Sequence, residues 1–304
     1  MQQEMQRVKL PELELSRLIY GLWRLGDDTD TSSAHVQAKI ESCISQGITS
    51  FDQADIYGDY ASEKILGKAL KDAPALREQM EIITKCDIML ISEHYPDRKV
   101  KYYDTSRAHL EVSVNNSLTY MNIERIDLLL IHRPDPLMDA AETGAALDDL
   151  IASGKVGSVG VSNFSPFDWN LLQANMKANL QTNQVEISLL HTDPMTNGDL
   201  AFMQQHSIAP MAWSPLAGGQ LFAENADTNI KALRTKLEAI ASEQEVDMSA
   251  VAIAWLLKHP SGILPVLGTN ALPRIAKLSD AMKVDIDRET WFELYTLACG
   301  EEVP

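Results

Sequence analysis

Four side chains that can donate or accept a proton follow apolar stretches of this sequence. They are Asp52, Tyr57, Lys85 and His132. Apolar runs that stop at a polar residue are typical of the buried strands of a parallel sheet, and the loops that leave the carboxyl ends of such strands carry most of the chemistry in βα proteins. The pattern therefore predicts that the four side chains meet at one edge of a sheet.

The chemistry open to such a set is proton transfer to an oxygen atom. A free phenol titrates at about 10 and is a reluctant acid near neutrality. A cation such as Lys85 stabilises the phenolate and lowers the pKa of Tyr57, and Asp52 keeps that cation charged while it is buried. The structural alternative is a buried ion pair of Lys85 and Asp52, with Tyr57 and His132 packed around it.

The elements that must position these side chains are strands and helices in alternation. Strands are predicted at 18–21, 48–52, 81–85, 126–132, 156–161, 183–187, 208–213 and 263–267. Helices are predicted at 33–46, from about 62, and at 104–120, 143–153, 229–243 and 249–258, with Pro273 in the first turn of the last barrel helix. A hairpin is predicted over 8–19 and an extra surface helix over 287–304. Eight strands in 304 residues predict a single domain, 1–304, with the α/β fold of a (β/α)8 TIM barrel.

The glycines near residue 157 bear on a competing fold. Gly154, Gly157 and Gly160 do not have the spacing of the G-x-G-x-x-G dinucleotide fingerprint. A Rossmann fold is therefore rejected, and these glycines are predicted to relieve crowding inside the barrel.

The composition argues against several classes of function. The chain has 26 basic and 43 acidic residues and a net charge of -17, which disfavours nucleic-acid and membrane partners. Cys43, Cys86 and Cys299 lack zinc spacing and are predicted to be reduced thiols in a cytoplasmic protein. The seven His residues form no H-E-x-x-H pattern, so no metal site is predicted. Segment 1–10 lacks the apolar core of a signal peptide, and no stretch has the apolar run of a bilayer span.

The sequence around the four side chains resembles the aldo-keto reductases, and the bacterial members in particular. The likeness rests on Asp52, Tyr57, Lys85 and His132, on the run IHRPDPLMD that begins at Ile131, and on segments 154–165, 182–188, 211–219 and 265–275. It covers nearly the whole chain and implies a barrel whose bottom is capped by the amino-terminal hairpin. It also implies an NADP-dependent oxidoreductase that reduces aldehyde or ketone carbonyls to alcohols.

The resemblance assigns a role to each of the four side chains. A nicotinamide donates hydride to the carbonyl carbon, and Tyr57 gives a proton to the oxygen. Lys85 and Asp52 activate Tyr57, while His132 orients the carbonyl oxygen. Relatives that reduce carbon–carbon double bonds depart from this histidine, so His132 indicates carbonyl reduction.

The resemblance also implies contacts along the whole length of the cofactor. The first βα loop lies along it, Ser162, Asn163 and Gln184 bind the nicotinamide carboxamide, Trp213 stacks on the nicotinamide ring, and segment 214–221 wraps the pyrophosphate. The complete set is Gly21, Trp23, Arg24, Asp52, Ser162, Asn163, Gln184, Trp213, Ser214, Pro215, Leu216, Ala217, Gly218, Gly219, Leu221, Gly268, Thr269, Asn270 and Arg274.

The adenosine end of the cofactor is expected to meet Thr269, Asn270 and Arg274. A 2′-phosphate needs cationic and hydroxyl donors, which Arg274 and Thr269 supply. Many family members carry Lys where this chain has Gly268. A preference for NADP(H) over NAD(H) is therefore predicted, smaller than in relatives that have both cations.

Two other functions fit part of the pattern. A Schiff-base lyase also needs a Lys at a strand end, although it does not need Asp52, Tyr57 and the Ser162, Asn163 and Gln184 set together. Some aldo-keto reductase-like chains are instead cofactor-binding subunits of membrane channels. The loops around Trp23 and at 86–103, 135–139 and 190–197 are expected to form the walls of the substrate site, and their sequences predict neither the carbonyl substrate nor the oligomeric state.

Overall fold

Eight parallel strands close into a barrel and follow one another around it in chain order. The computed structural model describes residues 5–223 and 228–304, so residues 1–4 of the amino-terminal segment lie outside the described residues. The strands are β1 (Arg7–Lys9), β2 (Glu14–Ser16), β3 (Ile19–Gly21), β4 (Ser50–Asp52), β5 (Glu81–Cys86), β6 (Ile88–Met89), β7 (Tyr102–Tyr103), β8 (Ile126–Ile131), β9 (Val156–Ser162), β10 (Leu180–Glu186), β11 (Met211–Trp213) and β12 (Leu264–Leu267). The barrel consists of β3, β4, β5 and β8 to β12, which confirms the predicted (β/α)8 architecture.

Helices alternate with the barrel strands and surround them. They are α1 (Ser33–Ile44), α2 (Tyr57–Tyr60), α3 (Ser62–Asp72), α4 (Arg107–Met121), α5 (Ala140–Ala152), α6 (Pro166–Gln173), α7 (Asp199–Gln205), α8 (Thr228–Glu243), α9 (Met248–Leu257), α10 (Leu272–Ile275) and α11 (Arg288–Cys299). A large apolar layer lies between these helices and the strands.

A second apolar cluster fills the barrel interior, and the amino-terminal hairpin belongs to it. β1 and β2 pair antiparallel. Leu10 and Leu15 of this hairpin segment are buried in the same cluster as Ile83, Leu128 and Leu264, which come from three barrel strands. Burial of these side chains closes the amino end of the barrel, and the predicted hairpin cap is confirmed.

The register of the central strands places their carboxyl ends side by side. β4 pairs with β5 so that Asp52 stands opposite Ile83, and β5 pairs with β8 so that Lys85 stands opposite Leu130. The backbone N–H of His132 extends this pairing by donating to a carbonyl of β5 at 3.0 Å. Three neighbouring strands therefore deliver Asp52, Lys85 and His132 to one rim of the barrel.

Several elements differ from their predicted boundaries. α5 begins at Ala140 because the Asp139 side chain caps it, accepting from the N–H groups of Ala141 and Glu142. Segment 86–103, predicted as a loop, contains the antiparallel pair β6 and β7. The last barrel helix is only the four-residue α10, followed by a 3₁₀ turn. The short helices α6 and α7 were not predicted, because eight and seven residues give little helical periodicity to read.

The two glycines of β9 have close neighbours, whereas Gly154, which precedes β9, does not. A Cβ atom at Gly157 would lie 2.4 Å from Nη2 of Arg125, and one at Gly160 would lie 2.8 Å from Cδ2 of Leu130. Gly154 has a φ of +78° with nothing within 4 Å of the Cβ position, and it lies just past the end of α5. The prediction of crowding inside the barrel is thus confirmed for Gly160 and wrong for Gly157 and Gly154, because Gly157 is half-buried beside the exposed Arg125 on the outer face of β9.

The predicted C-terminal helix is α11, and two tryptophans attach it to the barrel layer. Trp291 of α11 stacks on Trp255 of α9 with ring centroids 4.8 Å apart. Each indole N–H donates to the backbone carbonyl of the other residue, at 3.0 and 3.1 Å. Trp291 therefore has a packing role, because both its ring face and its polar N–H are used within the fold.

Two absences hold for the part of the chain that the structure describes. None of its helices combines the length and the apolar character needed to cross a bilayer. None of its groups of His, Cys, Asp and Glu side chains could hold a metal ion. All three cysteines are free thiols, with Cys43 and Cys86 buried and Cys299 exposed.

Candidate active site

The Lys85 ammonium is the centre of the site and uses three hydrogen bonds. It donates to Oδ2 of Asp52 at 2.7 Å, to the phenol oxygen of Tyr57 at 3.1 Å and to the carbonyl of Gln53 at 2.9 Å. Lys85 has no exposed surface and Asp52 is 2% exposed. A charge buried this completely needs a partner, and Asp52 supplies it. The sequence-predicted side chains of Asp52, Tyr57 and Lys85 are therefore in direct contact.

A tight turn after β4 brings Tyr57 to this ammonium. The loop is held to β5, because the N–H of Gln53 donates to the Ile83 carbonyl at 2.8 Å and the N–H of Asp55 to the Lys85 carbonyl at 3.0 Å. In the following residues the backbone is left-handed, with φ of 58° at Gly58. This fold of the loop sets the phenol over the end of the neighbouring strand.

His132 lies beside Tyr57 as a neutral imidazole. The two rings meet edge to face with centroids 6.1 Å apart. Burial, together with the positive charges of Lys85, Arg133 and Lys101, holds the pKa of His132 well below its usual range. Its Nδ1 atom is buried and has no hydrogen-bond partner among the described residues. A neutral ring with a free nitrogen can exchange hydrogen bonds with a bound molecule.

The electrostatics of Tyr57 differ from the expectation. Burial raises the pKa of the Tyr57 phenol, and although the charge of Lys85 lowers it, the net direction is upward. The expected net decrease in the pKa is therefore wrong, because removal of the phenol from water outweighs the nearby cation. Burial lowers the pKa of Lys85, but Asp52 and Tyr57 together leave that pKa raised. At neutral pH the site holds a protonated phenol beside a charged ammonium.

The residues expected on the nicotinamide carboxamide form one network that reaches Asp52. Gln184 donates from Nε2 to Oδ1 of Asp52 at 2.8 Å, so Lys85 and Gln184 hold the two carboxylate oxygens. Ser162 donates to the Gln184 carbonyl at 2.8 Å, and Asn163 donates to the Ser162 hydroxyl at 2.8 Å. The indole of Trp213 donates to Oδ1 of Asn163 at 3.0 Å. The sequence indicated these residues but not their link to Asp52.

The loops expected along the rest of the cofactor are tied to one another through Arg24. Its guanidinium donates to the Gly218 carbonyl at 3.4 Å and lies 5.0 Å from the centroid of the Trp23 ring. The Arg24 carbonyl accepts from Nδ2 of Asn270 at 2.6 Å. The Thr269 carbonyl accepts from the Tyr20 hydroxyl at 2.7 Å. The first, seventh and eighth βα loops thus lie together at the same rim.

Lys39 belongs to this network and was missed in the sequence. Its ammonium is buried, pairs with Asp28 and donates to Oδ1 of Asn270 at 3.2 Å. A signal was present, since Lys39 lies within the helical spacing of Val36, a buried residue of α1, and a cation at such a position needs a partner. Gly21, Ser214 to Leu216, Leu221 and Gly268 lie on the same strand ends and loops, and Arg274 is exposed on α10.

A cleft of about 420 Å³ adjoins the site next to Trp213 and Asn163. None of the four proton-active side chains lines it, so it extends away from them. Its wall includes Arg133, Glu186 and, from the 190–197 segment, residues such as Asn197. These charged and amide groups can exchange hydrogen bonds with a polar molecule.

Carboxyl groups with few partners lie on the outer side of β5. Thr84 donates to Oε1 of Glu63 at 2.7 Å, and Ser113 donates to Oδ2 of Asp55 at 3.0 Å. Burial raises the pKa of Glu63 to about 7. Burial and the neighbouring Glu63 raise the pKa of Asp55 to about 8. Burial also raises the pKa of Asp87 well above its ordinary value. Lys85 is therefore flanked by acids that hold protons near neutral pH.

Comparison with known proteins identifies relatives over nearly the whole chain. The profile of the Aldo/keto reductase family matches residues 17–297. A 6-dehydroglucose reductase of Agrobacterium fabrum is 59% identical over 300 residues, which make up 98% of this chain and 100% of the relative. A second 6-dehydroglucose reductase, from Novosphingobium aromaticivorans, is 37% identical over 298 residues, or 96% of this chain and 94% of the relative.

Solved structures share the fold at lower identity. An aldo/keto reductase from Klebsiella pneumoniae, solved in complex with NADP and acetate, has a TM-score of 0.77 at 22% identity and covers 97% of this chain and 95% of its own. A glycerol dehydrogenase from Gluconobacter oxydans has a TM-score of 0.84 at 22% identity, with coverage of 97% and 95%. At these identities the likeness establishes the barrel architecture.

The raised pKa of Glu63 predicts that stability falls as the pH rises. The folded pKa of about 7 lies above the ordinary value of Glu, so the folded state keeps a proton that the unfolded chain has released. The stabilisation is complete below about pH 4 and is lost as the pH approaches about 7. Glu63→Gln keeps an acceptor for Thr84 and removes the titration. Between about pH 4 and 7 we expect its free energy of unfolding to fall less than that of the wild type, by roughly 1–3 kcal/mol.

Urea denaturation at several pH values measures this difference. Glu124→Gln, at an exposed position, is the matched control and should follow the wild-type curve. Parallel pH curves for the wild type and Glu63→Gln would show that Glu63 is ionised in the folded protein at neutral pH.

Proposed function

The chain belongs to the aldo/keto reductase family. From this membership we propose that it reduces carbonyls to alcohols with hydride from NADPH. We propose that its substrate is a sugar aldehyde of the 6-dehydroglucose type. The observation that carries the reaction is the contact of one ammonium, Lys85, with both Asp52 and Tyr57, at 2.7 and 3.1 Å. Support for the substrate comes from the 59% identity to a relative named 6-dehydroglucose reductase, over 98% of this chain.

The residues present fit a dinucleotide. Gly218 and Gly219 have φ of 63° and 98° with nothing within 4 Å of either Cβ position, so the loop exposes backbone that a pyrophosphate can approach. Trp213 offers an aromatic ring beside the amide of Asn163, to which its indole donates at 3.0 Å. When bound, NADPH supplies the hydride that forms the new C–H bond. We assign the carboxamide to Ser162, Asn163 and Gln184, and the pyrophosphate to segment 214–221.

The chain's own residues supply the proton. The raised pKa keeps the Tyr57 phenol protonated at neutral pH, as a donor must be. As hydride reaches the carbonyl carbon, the C=O π bond breaks and its electron pair moves to oxygen, which takes the Tyr57 proton. Lys85, at 3.1 Å, stabilises the phenolate that remains. His132 donates a hydrogen bond to the same oxygen, and Asp52 with Gln184 keeps Lys85 in place.

The charge on Lys85 also separates this proposal from Schiff-base chemistry. A lysine attacks a carbonyl as the neutral amine, so Schiff-base enzymes lower the pKa of that lysine. Here Asp52 and Tyr57 outweigh burial and leave the pKa of Lys85 raised. The site therefore favours an ammonium that acts through its charge.

A sugar aldehyde suits the polar cleft. A 6-dehydroglucose carries an aldehyde at C6 and hydroxyl groups on the rest of the molecule. We propose that the aldehyde lies at Tyr57 and His132, while the hydroxyl groups meet the charged and amide groups of the cleft, such as Arg133 and Asn197.

We also propose that residues 1–304 act as a single catalytic domain in the cytoplasm. The three free thiols support the cytoplasmic location.

We propose NADPH as the preferred cofactor on the basis of α10 and the loop before it. Arg274 is exposed, and the described residues give its guanidinium no ion-pair partner. Thr269 adds a hydroxyl group nearby in sequence. Asn270 is engaged by Lys39 and Arg24, so Arg274 is the group available for a 2′-phosphate.

The reaction is tested by replacing Tyr57 with Phe. The purified wild type should oxidise NADPH in the presence of 6-dehydroglucose, followed by loss of absorbance of the reduced nicotinamide. Tyr57→Phe removes only the proton donor, so we expect kcat to fall by about 10²–10⁴-fold while the Kd for NADPH is unchanged. Tyr120→Phe, on α4, is the matched control and should retain wild-type turnover. Wild-type kinetics in Tyr57→Phe would overturn the assignment of the donor.

The cofactor preference is tested at Arg274. Arg274→Ala removes a charge-assisted contact to a 2′-phosphate, so we expect the KM for NADPH to rise by about tenfold or more and that for NADH to change little. Lys277→Ala, which removes the same charge three residues further on, should leave both constants near wild type. Equal changes for NADPH and NADH, or a wild type that runs better with NADH, would contradict the proposal.

A further inference from the structure

The turn that carries Tyr57 has backbone strain that the proton-transfer chemistry does not explain. Gly58, Asp59 and Tyr60 are left-handed in succession, with φ of 58°, 52° and 67°. Glycine adopts this region freely, whereas it is uncommon for Tyr, and a run of such residues costs free energy. Surrounding contacts must therefore hold the turn in this shape.

One side of the turn rests on the first βα loop. A Cβ atom at Gly26 would lie 2.9 Å from Cα of Gly58, so the two backbones are in close contact there. The other side of the turn is Tyr60, which faces the loop between β6 and β7.

Three residues of that loop, Leu90, Tyr95 and Arg98, contact Tyr60. We call these four residues the Arg98 clamp. The Tyr60 hydroxyl accepts from Nη1 of Arg98 at 2.7 Å and from the N–H of Leu90 at 3.0 Å. The Arg98 guanidinium lies 3.7 Å from the centroid of the Tyr95 ring, and Tyr95 meets the Tyr60 ring edge to face at 4.9 Å. Arg98 also donates to the Leu90 carbonyl at 3.2 Å, which closes the loop on itself.

These contacts join two parts of the site that have separate roles. Tyr60 lies three residues after Tyr57. The other clamp residues, Leu90, Tyr95 and Arg98, lie within segment 86–103, which is expected to form a wall of the substrate site. Lys101 of the same segment is close enough to His132 for its charge to lower the pKa of that imidazole. A displacement of the loop would therefore change the position of Tyr57 and the charge near His132.

We propose that Arg98 is a positioning residue for catalysis, which holds the strained Tyr57 turn through Tyr60 and so sets the proton donor against the substrate carbonyl. This inference rests on the proposed carbonyl reduction and deepens it. Arg98 contacts none of the four proton-active side chains and none of the residues assigned to the cofactor. Its loss therefore acts on turnover rather than on cofactor binding. Misplacement of a reacting group by about 1 Å can cost on the order of 10²-fold in rate.

Arg98→Ala is the first test. We expect kcat for 6-dehydroglucose to fall by about ten- to a hundredfold while the Kd for NADPH stays at the wild-type value. Added guanidinium ion, at concentrations far below those that unfold proteins, should restore part of the lost kcat, because it can occupy the space between Tyr60 and Tyr95. Arg98→Lys keeps the charge but cannot stack and bond in the same plane, so it should remain impaired. Arg288→Ala, which makes the same change at an exposed position of α11 away from the site, is the control and should behave as wild type.

Tyr60→Phe provides a second and independent variant. It removes the hydroxyl that accepts both bonds and keeps the ring, so it should lose a similar factor in kcat, and the double variant with Arg98→Ala should lose little more than either alone. Additive losses, a change confined to KM, or a loss of kcat that guanidinium does not restore would overturn the clamp. If the wild type reduces other aldehydes but not 6-dehydroglucose, the substrate assignment fails while the same variants still decide the role of Arg98 on those aldehydes.

Discussion

The charge on Lys85 is the constraint on which the site depends. An ammonium with no exposed surface is costly unless a carboxylate faces it, and removal of one partner from such a buried pair leaves an uncompensated charge. Asp52 meets this demand at 2.7 Å and is itself held by Gln184 at 2.8 Å. The Gln53 carbonyl accepts a second hydrogen bond from the ammonium, which leaves one for Tyr57. The phenol thus lies beside a cation whose other contacts are fixed.

The barrel makes this arrangement possible because parallel strands end at one rim. Asp52 and Lys85 come from adjacent strands, and Gln184 reaches the same carboxylate from β10, beyond β8 and β9. The residues on the two faces of β5 also have different surroundings. Lys85 pairs with Asp52 on the inner face, whereas Thr84 donates to the Glu63 carboxyl on the helix side. Burial raises the pKa of Glu63 and Asp55 on that side, which weakens their competition with Asp52 for the ammonium.

The sequence predicted most of the barrel and the membership of the central group, for identifiable reasons. β5 and β8 are continuous apolar runs that end in a polar residue, so their ends were located to within one residue. The likeness of the motifs to a known family supplied Tyr57 and His132, which single-residue reasoning would have treated as packing. Pro273 lies in the first turn of the last barrel helix, as predicted, and that helix is only the four-residue α10.

What the sequence did not predict depends on long-range contacts and on burial. Gln184 is 132 positions from Asp52, and Lys39 is 231 from Asn270, so no local spacing indicates either bond. The β6–β7 pair was read as loop because two-residue strands have too few positions to show alternation. The predicted direction of the Tyr57 pKa shift was wrong, because the penalty for removing the phenol from water depends on how tightly the barrel encloses it.

The most direct test of the role of Lys85 is the titration of Tyr57 itself. The ultraviolet absorbance of phenolate, taken as the difference between the wild type and Tyr57→Phe, isolates this one phenol, and the same difference can be taken in a Lys85→Met background. If the ammonium stabilises the phenolate, Tyr57 will ionise at a clearly higher pH when Lys85 is replaced. An unchanged or lower ionisation pH in Lys85→Met would contradict the claim that Lys85 prepares Tyr57 to give up its proton.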